Sequence, residues 1–402
     1  MIYLDVTSSC VSVQNTGIQR VTRKIFAELS RRVAVTPICW NGIGGFYQQL
    51  GPIERKLLTR PFDVASRPTT RPDISGQNPI AELRRLMILP RFDFATTLTE
   101  DDVFIAPDGH NDSRRKHLPR LIRKTRVRSV AIFHDASRVR LASVYRRGVR
   151  RYREYIESLA AFDRVICIST ETHDDLLTLW RKFGSKPTST CIESWPAELE
   201  AGAPKRDSTA EAVDLVVYVS SLDPRKNHFK LLAAAERLWR EGLHFELRII
   251  GRSTKLFGRK VIAEIRKLQR LGRPVRWLRH VDDKTLLRQY HDCRFTVYPS
   301  LMEGYGLPIL ESLLHGKPCI SGGNGALGEI ASGGGCLIVD QTNEEALAAG
   351  IKKLLVDQQL YARLCAQARA REFRSWADYI DKFLGYLQTT PRADFACTVA
   401  SH

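Results

Sequence analysis

"YPSLMEGYGLPILESLLHGKPCIS", residues 298–321, decides how the chain is read. A short apolar run ends at Pro299 and Ser300, a loop over 301–307 carries Gly304 and Gly306, and a helix with Pro308 in its first turn is closed by Gly316 and Pro318. Strand, glycine-bearing loop and helix in that order form the repeating unit of a parallel α/β sheet. The reading places Glu303 at the carboxyl end of a strand and Glu311, eight positions later, in the first helical turn. Open α/β sheets bind ligands at that edge, where a helix N-terminus offers unpaired N–H groups and a positive dipole to an anion. The pattern therefore predicts a phosphate-bearing ligand whose hydroxyls the carboxylates grip. A local role for Glu311, stabilising the helix start, accounts for one glutamate but not for the loop that holds the other.

Outward from this motif, Val- and Ile-rich runs alternate with helical patterns along most of the chain, which predicts an α/β protein with parallel sheets. "MIYLDVT" (1–7), "DVFIAP" (102–107), "SVAIFHD" (129–135) and "RVICIS" (164–169) read as strands, and 16–32 and 169–184 as helices, the second capped by Ser169 and ended by Gly184. The stretch 196–213, rich in Pro, Ala and Glu, reads as a linker, after which the alternation restarts with "DLVVYVSS" (214–221), "HFELRIIG" (244–251), "VRWLRH" (275–280) and "RFTVYPS" (294–300). The expected organisation is a Rossmann-like domain over 1–200 and a second over 201–373, with a helix at 374–390 that can pack back on the first. Residues 42–95 show no decisive periodicity.

A chain of 402 residues, 43% apolar, can bury two cores. No stretch has the roughly 18 unbroken apolar residues of a membrane span, and Asp5 interrupts what a signal peptide needs to be apolar, so a cytoplasmic location is expected. Nine cysteines without a C-x-x-C read as reduced thiols, neither a zinc site nor a disulfide framework. The formal charge of +18 is uneven: residues 114–153 hold fifteen Lys and Arg against Asp135 alone. That excess points to an anionic partner or to a solvated basic face. Nucleic acid is not expected, because few aromatics are interleaved to stack on bases. An anionic membrane surface fits better, with Arg120, Arg123, Lys124 and Arg128 spaced to share one helix face.

The 298–321 segment resembles the E-x7-E region of retaining glycosyltransferases of family 4 type, whose GT-B fold sets two Rossmann-like domains facing each other with the active site in the cleft between them. In the expected order, "NTGIQRV" (15–21) resembles that family's loop after the first strand, "IFHD" (132–135) its His-Asp, "VSSLDPRKNH" (219–228) its phosphate clamp, and "GALGEIASGGGCLIVD" (325–340) its last donor-side segment. The resemblance is strongest from 214 to 340 and weakest across 42–95. It implies that Glu311 holds the ribose of a sugar nucleotide, that Glu303 with Gly304, Tyr305, Gly306 and Leu307 contacts the transferred sugar, and that Arg225 and Lys226 take the diphosphate. By the same resemblance Gly17 belongs to the donor-side loop and His134 is an active-site residue that hydrogen-bonds donor or acceptor, while Asp135 either orients the His134 ring or caps the next segment. Ser220 and Ser221 stand where the family often carries Gly-Arg, leaving one cation fewer. No D-x-D occurs, so transfer without a metal cofactor is expected, the cations and helix dipoles stabilising the leaving group. The resemblance implies a hexosyltransferase that retains anomeric configuration, either by front-face substitution or through a covalent intermediate. GDP-mannose is the favoured donor over that of a rhamnosyl or other hexosyl transfer. A lipid-linked saccharide of polysaccharide, lipopolysaccharide or O-antigen biosynthesis is the expected acceptor, met peripherally at the inner face of the membrane. The alternatives from other classes are a non-catalytic GT-B scaffold and a nucleic-acid-binding protein.

Overall fold

The computed structural model describes the chain except residues 13–15, 60–78, 146–147, 198–213, 255, 280 and 391–402. Asn15, most of the expected linker and the final residue of "VRWLRH" thus lie outside the described residues. Two compact units are present, one built from the chain up to Trp195 and from Trp376 onward, the other from Pro196–Ser375. No helix among the described residues is long and apolar enough to cross a membrane.

The first unit is organised on an eight-stranded sheet: β1 (Ile2–Asp5), β2 (Val35–Asn41), β3 (Phe46–Gln49), β4 (Arg91–Phe92), β5 (Val103–Ala106), β6 (Arg128–Phe133), β7 (Arg164–Cys167) and β8 (Ser189–Ile192), in the spatial order β4-β3-β2-β1-β5-β6-β7-β8. β5 and β6 are almost wholly buried apolar runs, as strands covered on both faces must be. Helix Gly17–Ser30 follows β1; Thr16 and Gln19 close a reciprocal capping box at its start, and Val21, Ile25 and Leu29 turn inward. Ser169 caps helix Thr170–Phe183, which ends where Gly184 takes φ 73°.

Residues 42–95, silent in the sequence pattern, supply the edge of this sheet. Four residues separate β2 from β3, too few for a crossover, so β3 pairs antiparallel, and β4 pairs antiparallel with β3. Asn41 shapes that turn, its Oδ1 accepting from the N–H groups of Ile43 (3.1 Å) and Gly44 (2.8 Å). Helix Trp376–Gln388 belongs to this unit: Asp381 meets Arg32 at 2.9 Å, and the Tyr386 hydroxyl donates to Glu193 at 2.9 Å.

The basic stretch is less uniform than its spacing suggests. Arg120, Arg123 and Lys124 lie exposed on helix Arg114–Thr125, but Arg128 is the first residue of β6, half-buried, and donates to the Leu387 carbonyl at 3.3 Å. The expected four-residue face therefore has three members. Arg115, Arg140 and Arg153 are paired with Glu154, Glu171 or Asp175, and Glu157.

The second unit carries six parallel strands: β9 (Asp214–Val219), β10 (Phe245–Ile250), β11 (Val275–Trp277), β12 (Phe295–Tyr298), β13 (Cys319–Ser321) and β14 (Cys336–Ile338). Their order, β11-β10-β9-β12-β13-β14, is the doubly wound arrangement, and it reverses direction between β9 and β12. Val216, Tyr218, Leu231, Phe245, Leu247, Phe295, Ile309 and Ile320 share its core. In the first sheet the same reversal falls between β1 and β5.

Candidate active site

At the switch point of the second sheet, β9 gives way to a single tight turn. Asp223 accepts from the Arg225 N–H at 3.2 Å, Pro224 fixes the first turn position, and Asn227, at φ 57°, ends the turn before helix His228–Arg240. The turn aims Lys226 back into the sheet, where its Nζ donates to the Tyr298 hydroxyl at 2.6 Å and to Glu303 Oε1. Arg225 donates to the Met302 carbonyl at 2.9 Å and to Glu303 Oε2 at 2.6 Å, and Ser300 Oγ donates to Glu303 Oε1. Three residues singled out from the sequence are thus brought into direct contact.

Burial sets their electrostatics, since Glu303 is 7% exposed and Lys226 6%. Burial alone would raise the Glu303 carboxyl, but Arg225 and Lys226 outweigh it and hold the group down to about 2. The Lys226 ammonium is pulled down by burial, against the attraction of Glu303, to about 8. At neutral pH the carboxylate is ionised and both cations are charged.

The glycine loop continues from this cluster. Gly306 has φ 125°, a conformation that favours glycine, and a Cβ there would lie a tight 3.2 Å from Ile330 Cδ1. It heads helix Leu307–Leu314, with Tyr305 packed against the core and Leu307 buried. Because the helix starts at Leu307, Glu311 is its fifth residue and not in the first turn, which corrects the sequence reading. The local dipole role weakens accordingly, since that effect fades beyond the first turn. Glu311 is buried and accepts from the Tyr290 hydroxyl at 2.7 Å; Tyr290 stacks on His315. The two glutamates are held by different elements: Glu303 by the turn after β9, Glu311 by helix Asp283–Asp292.

In the first unit, Gly17 opens its helix beside the Thr16 cap and is exposed. His134 follows β6, is buried against Trp195, and meets the Pro107 carbonyl through Nε2 at 2.8 Å. A carbonyl only accepts, so Nε2 carries the proton. Nδ1 is then a bare acceptor, buried without a partner among the described residues. Burial lowers this histidine to about 4, and the ring is neutral at pH 7. Asp135 does not orient it. Its Oδ1 accepts from the Ser137 N–H (2.9 Å) and hydroxyl (2.7 Å), capping the following turn.

Sequence reasoning missed a second charged cluster. Asp5 ends β1 and Asp108 follows β5, and both carboxylates meet Arg114, at 2.6 and 3.3 Å; Asp112 meets the same guanidinium at 2.8 Å. The available signal was two apolar strands, "IYLD" and "FIAPD", each running into an aspartate at the same edge of the sheet.

Residues 204–371 match the family model of glycosyl transferases group 1. This group 1 segment contains the Arg225–Lys226–Glu303 cluster, the glycine loop and Glu311. The chain is similar to the Escherichia coli serotype-specific mannosyltransferase WbdA, 29% identical over 249 residues, 55% of this chain and 29% of that protein. It is similar to the E. coli O-antigen chain mannosyltransferase B, 27% identical over 261 residues, 62% of this chain and 67% of that one. The chain therefore spans less than a third of the WbdA proteins. Among solved structures, sucrose-phosphate synthase from Thermosynechococcus elongatus superposes with TM-score 0.69 at 18% identity, covering 96% of this chain and 98% of that one. Anabaena HepE in complex with UDP and glucose gives 0.68 at 16%, covering 96% and 99%. At such identities the likeness speaks for fold alone: two Rossmann-like α/β domains, the GT-B class.

Proposed function

We propose that this chain is a retaining glycosyltransferase that moves mannose from GDP-mannose to a lipid-linked saccharide in O-antigen or polysaccharide assembly. The observation that carries the reading is the buried Arg225–Lys226–Glu303 cluster at the switch point of a group 1 segment. A nucleoside diphosphate departs only if its growing negative charge meets fixed positive charge, and these cations are held in place before any ligand arrives. Arg225 and Lys226 take the diphosphate, Glu311 the ribose hydroxyls, and Glu303 with the backbone of Gly304–Leu307 the sugar.

In front-face transfer, the bond from the sugar's anomeric carbon to the phosphate oxygen breaks. The acceptor oxygen bonds to the same face, and its proton passes to the departing phosphate. No dedicated base is needed. In the first unit, neutral His134 offers its bare Nδ1 as an acceptor for a hydroxyl of the acceptor saccharide. The cations take the place of a metal, so turnover should persist in excess EDTA. The mannosyl choice draws on the mannosyltransferase activity for which the E. coli relatives are named. The membrane-bound acceptor draws on exposed Arg120, Arg123 and Lys124, and on the exposed apolar residues Ile80, Leu83 and Met87 of the same unit.

Calorimetric titration tests the donor site. GDP-mannose should bind the wild type, and Lys226→Ala and Glu311→Ala should each weaken it by roughly 1.5–3 kcal/mol, as for hydrogen bonds to charged groups. Unchanged affinity in both variants refutes this placement. Tighter binding of another sugar nucleotide reassigns the donor.

A further inference from the structure

One cation at the same sheet edge is left without a counter-ion. Beyond its last residue, β10 stays bound to the β9 side. The Ser220 N–H donates to the Ile250 carbonyl at 2.8 Å, and the Leu222 N–H to the Arg252 carbonyl at 2.7 Å. Gly251, at φ 147°, permits this approach, because a Cβ there would lie 2.0 Å from the Ser220 carbonyl oxygen. Arg252 is therefore fixed beside Ser220–Leu222, one strand over from β9 and on the side away from β12. Its guanidinium is half-buried, NH1 is wholly shielded from solvent, and among the described residues nothing accepts from it. Burial lowers its pKa with no carboxylate to oppose the effect. Arg114, Arg225 and Arg248, buried or half-buried elsewhere, all face carboxylates.

A cation withdrawn from water without a partner costs stability unless a ligand supplies the anion. The formal charges along this edge decide what kind. Among the described residues Arg225 and Lys226 are balanced by Glu303 and Asp223, so Arg252, with the exposed Arg279 beyond β11, leaves the edge positive. The turn Pro224–Lys226 sits between the two flanks, tied to Arg252 through Leu222 and to the β12 side by the Leu301 N–H donating to the Arg225 carbonyl at 2.8 Å. An anion over this turn would have Arg252 on its β10 side and Arg225 and Lys226 in the turn itself.

We propose that Arg252 is a third cationic ligand of the donor's diphosphate, placed at the end of β10. The proposal rests on the nucleotide-sugar reading of the site. It accounts for Ser220 and Ser221 leaving the end of β9 without charge: the positive group is supplied from the neighbouring strand.

The experiment titrates wild type, Arg252→Gln and Arg252→Lys with GDP, UDP and ADP and with the matching nucleosides, and records melting temperatures with and without each diphosphate. Loss of a charge-assisted bond should weaken the preferred diphosphate roughly ten- to hundredfold in Arg252→Gln and change the nucleoside less than about twofold, with partial recovery in Arg252→Lys. Ligand-free Arg252→Gln should melt no lower than wild type, because an unpaired buried charge has been removed, and its shift on adding diphosphate should shrink. Equal diphosphate affinity in wild type and Arg252→Gln overturns this proposal alone. So does a lower ligand-free melting temperature with parallel losses for nucleoside and diphosphate, the signature of a structural role. A wild type that binds none of the three diphosphates overturns the nucleotide-sugar reading and this proposal together.

Discussion

At the switch point of the first sheet three carboxylates, Asp5, Asp108 and Asp112, surround one guanidinium, Arg114; at that of the second, two cations, Arg225 and Lys226, close on one carboxylate, Glu303. Both clusters are buried and occupy the same topological position in a parallel sheet, but they differ in how they are satisfied. In the first, Asp5 also accepts from the Thr7 N–H (3.0 Å) and the Tyr47 hydroxyl (2.8 Å), and Asp108 from the Ser8 N–H (3.1 Å). The Ser8 carbonyl in turn accepts from Gln19 Nε2 at 2.8 Å. This cluster spends its charge on holding the segment between β1 and helix Gly17–Ser30. The second cluster lies beside the uncompensated Arg252 and keeps a positive edge. The same switch-point position thus carries opposite charge in the two sheets, an excess of carboxylate in the first and of cations in the second.

The largest effect that sharpens this contrast is expected from Arg114→Met. Arg114 is 1% exposed and its loss strands three carboxylates, so the first unit should lose about 5 kcal/mol, the upper end for breaking a buried ion pair. Hydrogen exchange on the full chain can follow the amides of β1 and β5 separately from those of β9 and β12, and only the former should open. Retained protection there would show that the first cluster holds nothing in place.

Glu303→Gln should cost the second unit less, about 3 kcal/mol, because the stranded Lys226 can shed its proton and Arg225, part-exposed, keeps the Met302 carbonyl, whereas losing Arg114 strands three carboxylates together. The Lys226 ammonium already sits at about 8. Denaturant unfolding of the two variants side by side gives the order. A larger loss for Glu303→Gln than for Arg114→Met would break the comparison, making the second cluster the more structural one.

The unequal legibility of the two clusters has a physical origin. The second is contiguous: Ser300, Glu303, Gly306 and Glu311 fall within one strand-loop-helix unit, and the turn at Pro224–Lys226 announces itself by proline and adjacent cations. Short-range rules reach it, apart from a helix start that moved Glu311 out of the first turn. The first is assembled from residues more than a hundred positions apart, Asp5 and Arg114, and nothing local distinguishes Arg114 from the fourteen other basic residues that follow it up to 153. The strands and helices from 214 to 323 were legible because buried parallel strands carry unbroken apolar runs. β3 and β4 were not, being short strands of four and two residues at one side of the sheet, the pairing of β3 with β2 set by the Asn41 turn. Arg252 was invisible for a different reason. Its meaning lies in the absence of a partner, which only the packed structure can display.

The smallest expected effect separates the clusters by the sign of their response to pH. Burial raises the Asp108 carboxyl to about 6, against the pull of Arg114 and with Asp5 adding repulsion. A carboxyl raised in the folded state binds its proton more tightly there than in the unfolded chain. Its contribution is therefore complete below the ordinary value of 3.8 and is lost as pH rises through 6. Glu303, held at about 2, behaves oppositely: its contribution is complete above 4.5 and is lost only as pH falls towards 2. As pH rises from 4 to 6 the first unit should weaken by on the order of 2 kcal/mol, while the Glu303 cluster changes by less than about 1 kcal/mol and in the opposite sense. Asp108→Asn keeps an acceptor for the Ser8 N–H but cannot ionise, so it should abolish that slope in the first unit and leave the second untouched. Hydrogen exchange at pH 4, 5 and 6, corrected for intrinsic rates, reads both units in one sample. If protection at β1 and β5 is flat in the wild type, or slopes equally in Asp108→Asn, then Asp108 is ionised throughout, and the first cluster owes nothing of its stability to a bound proton.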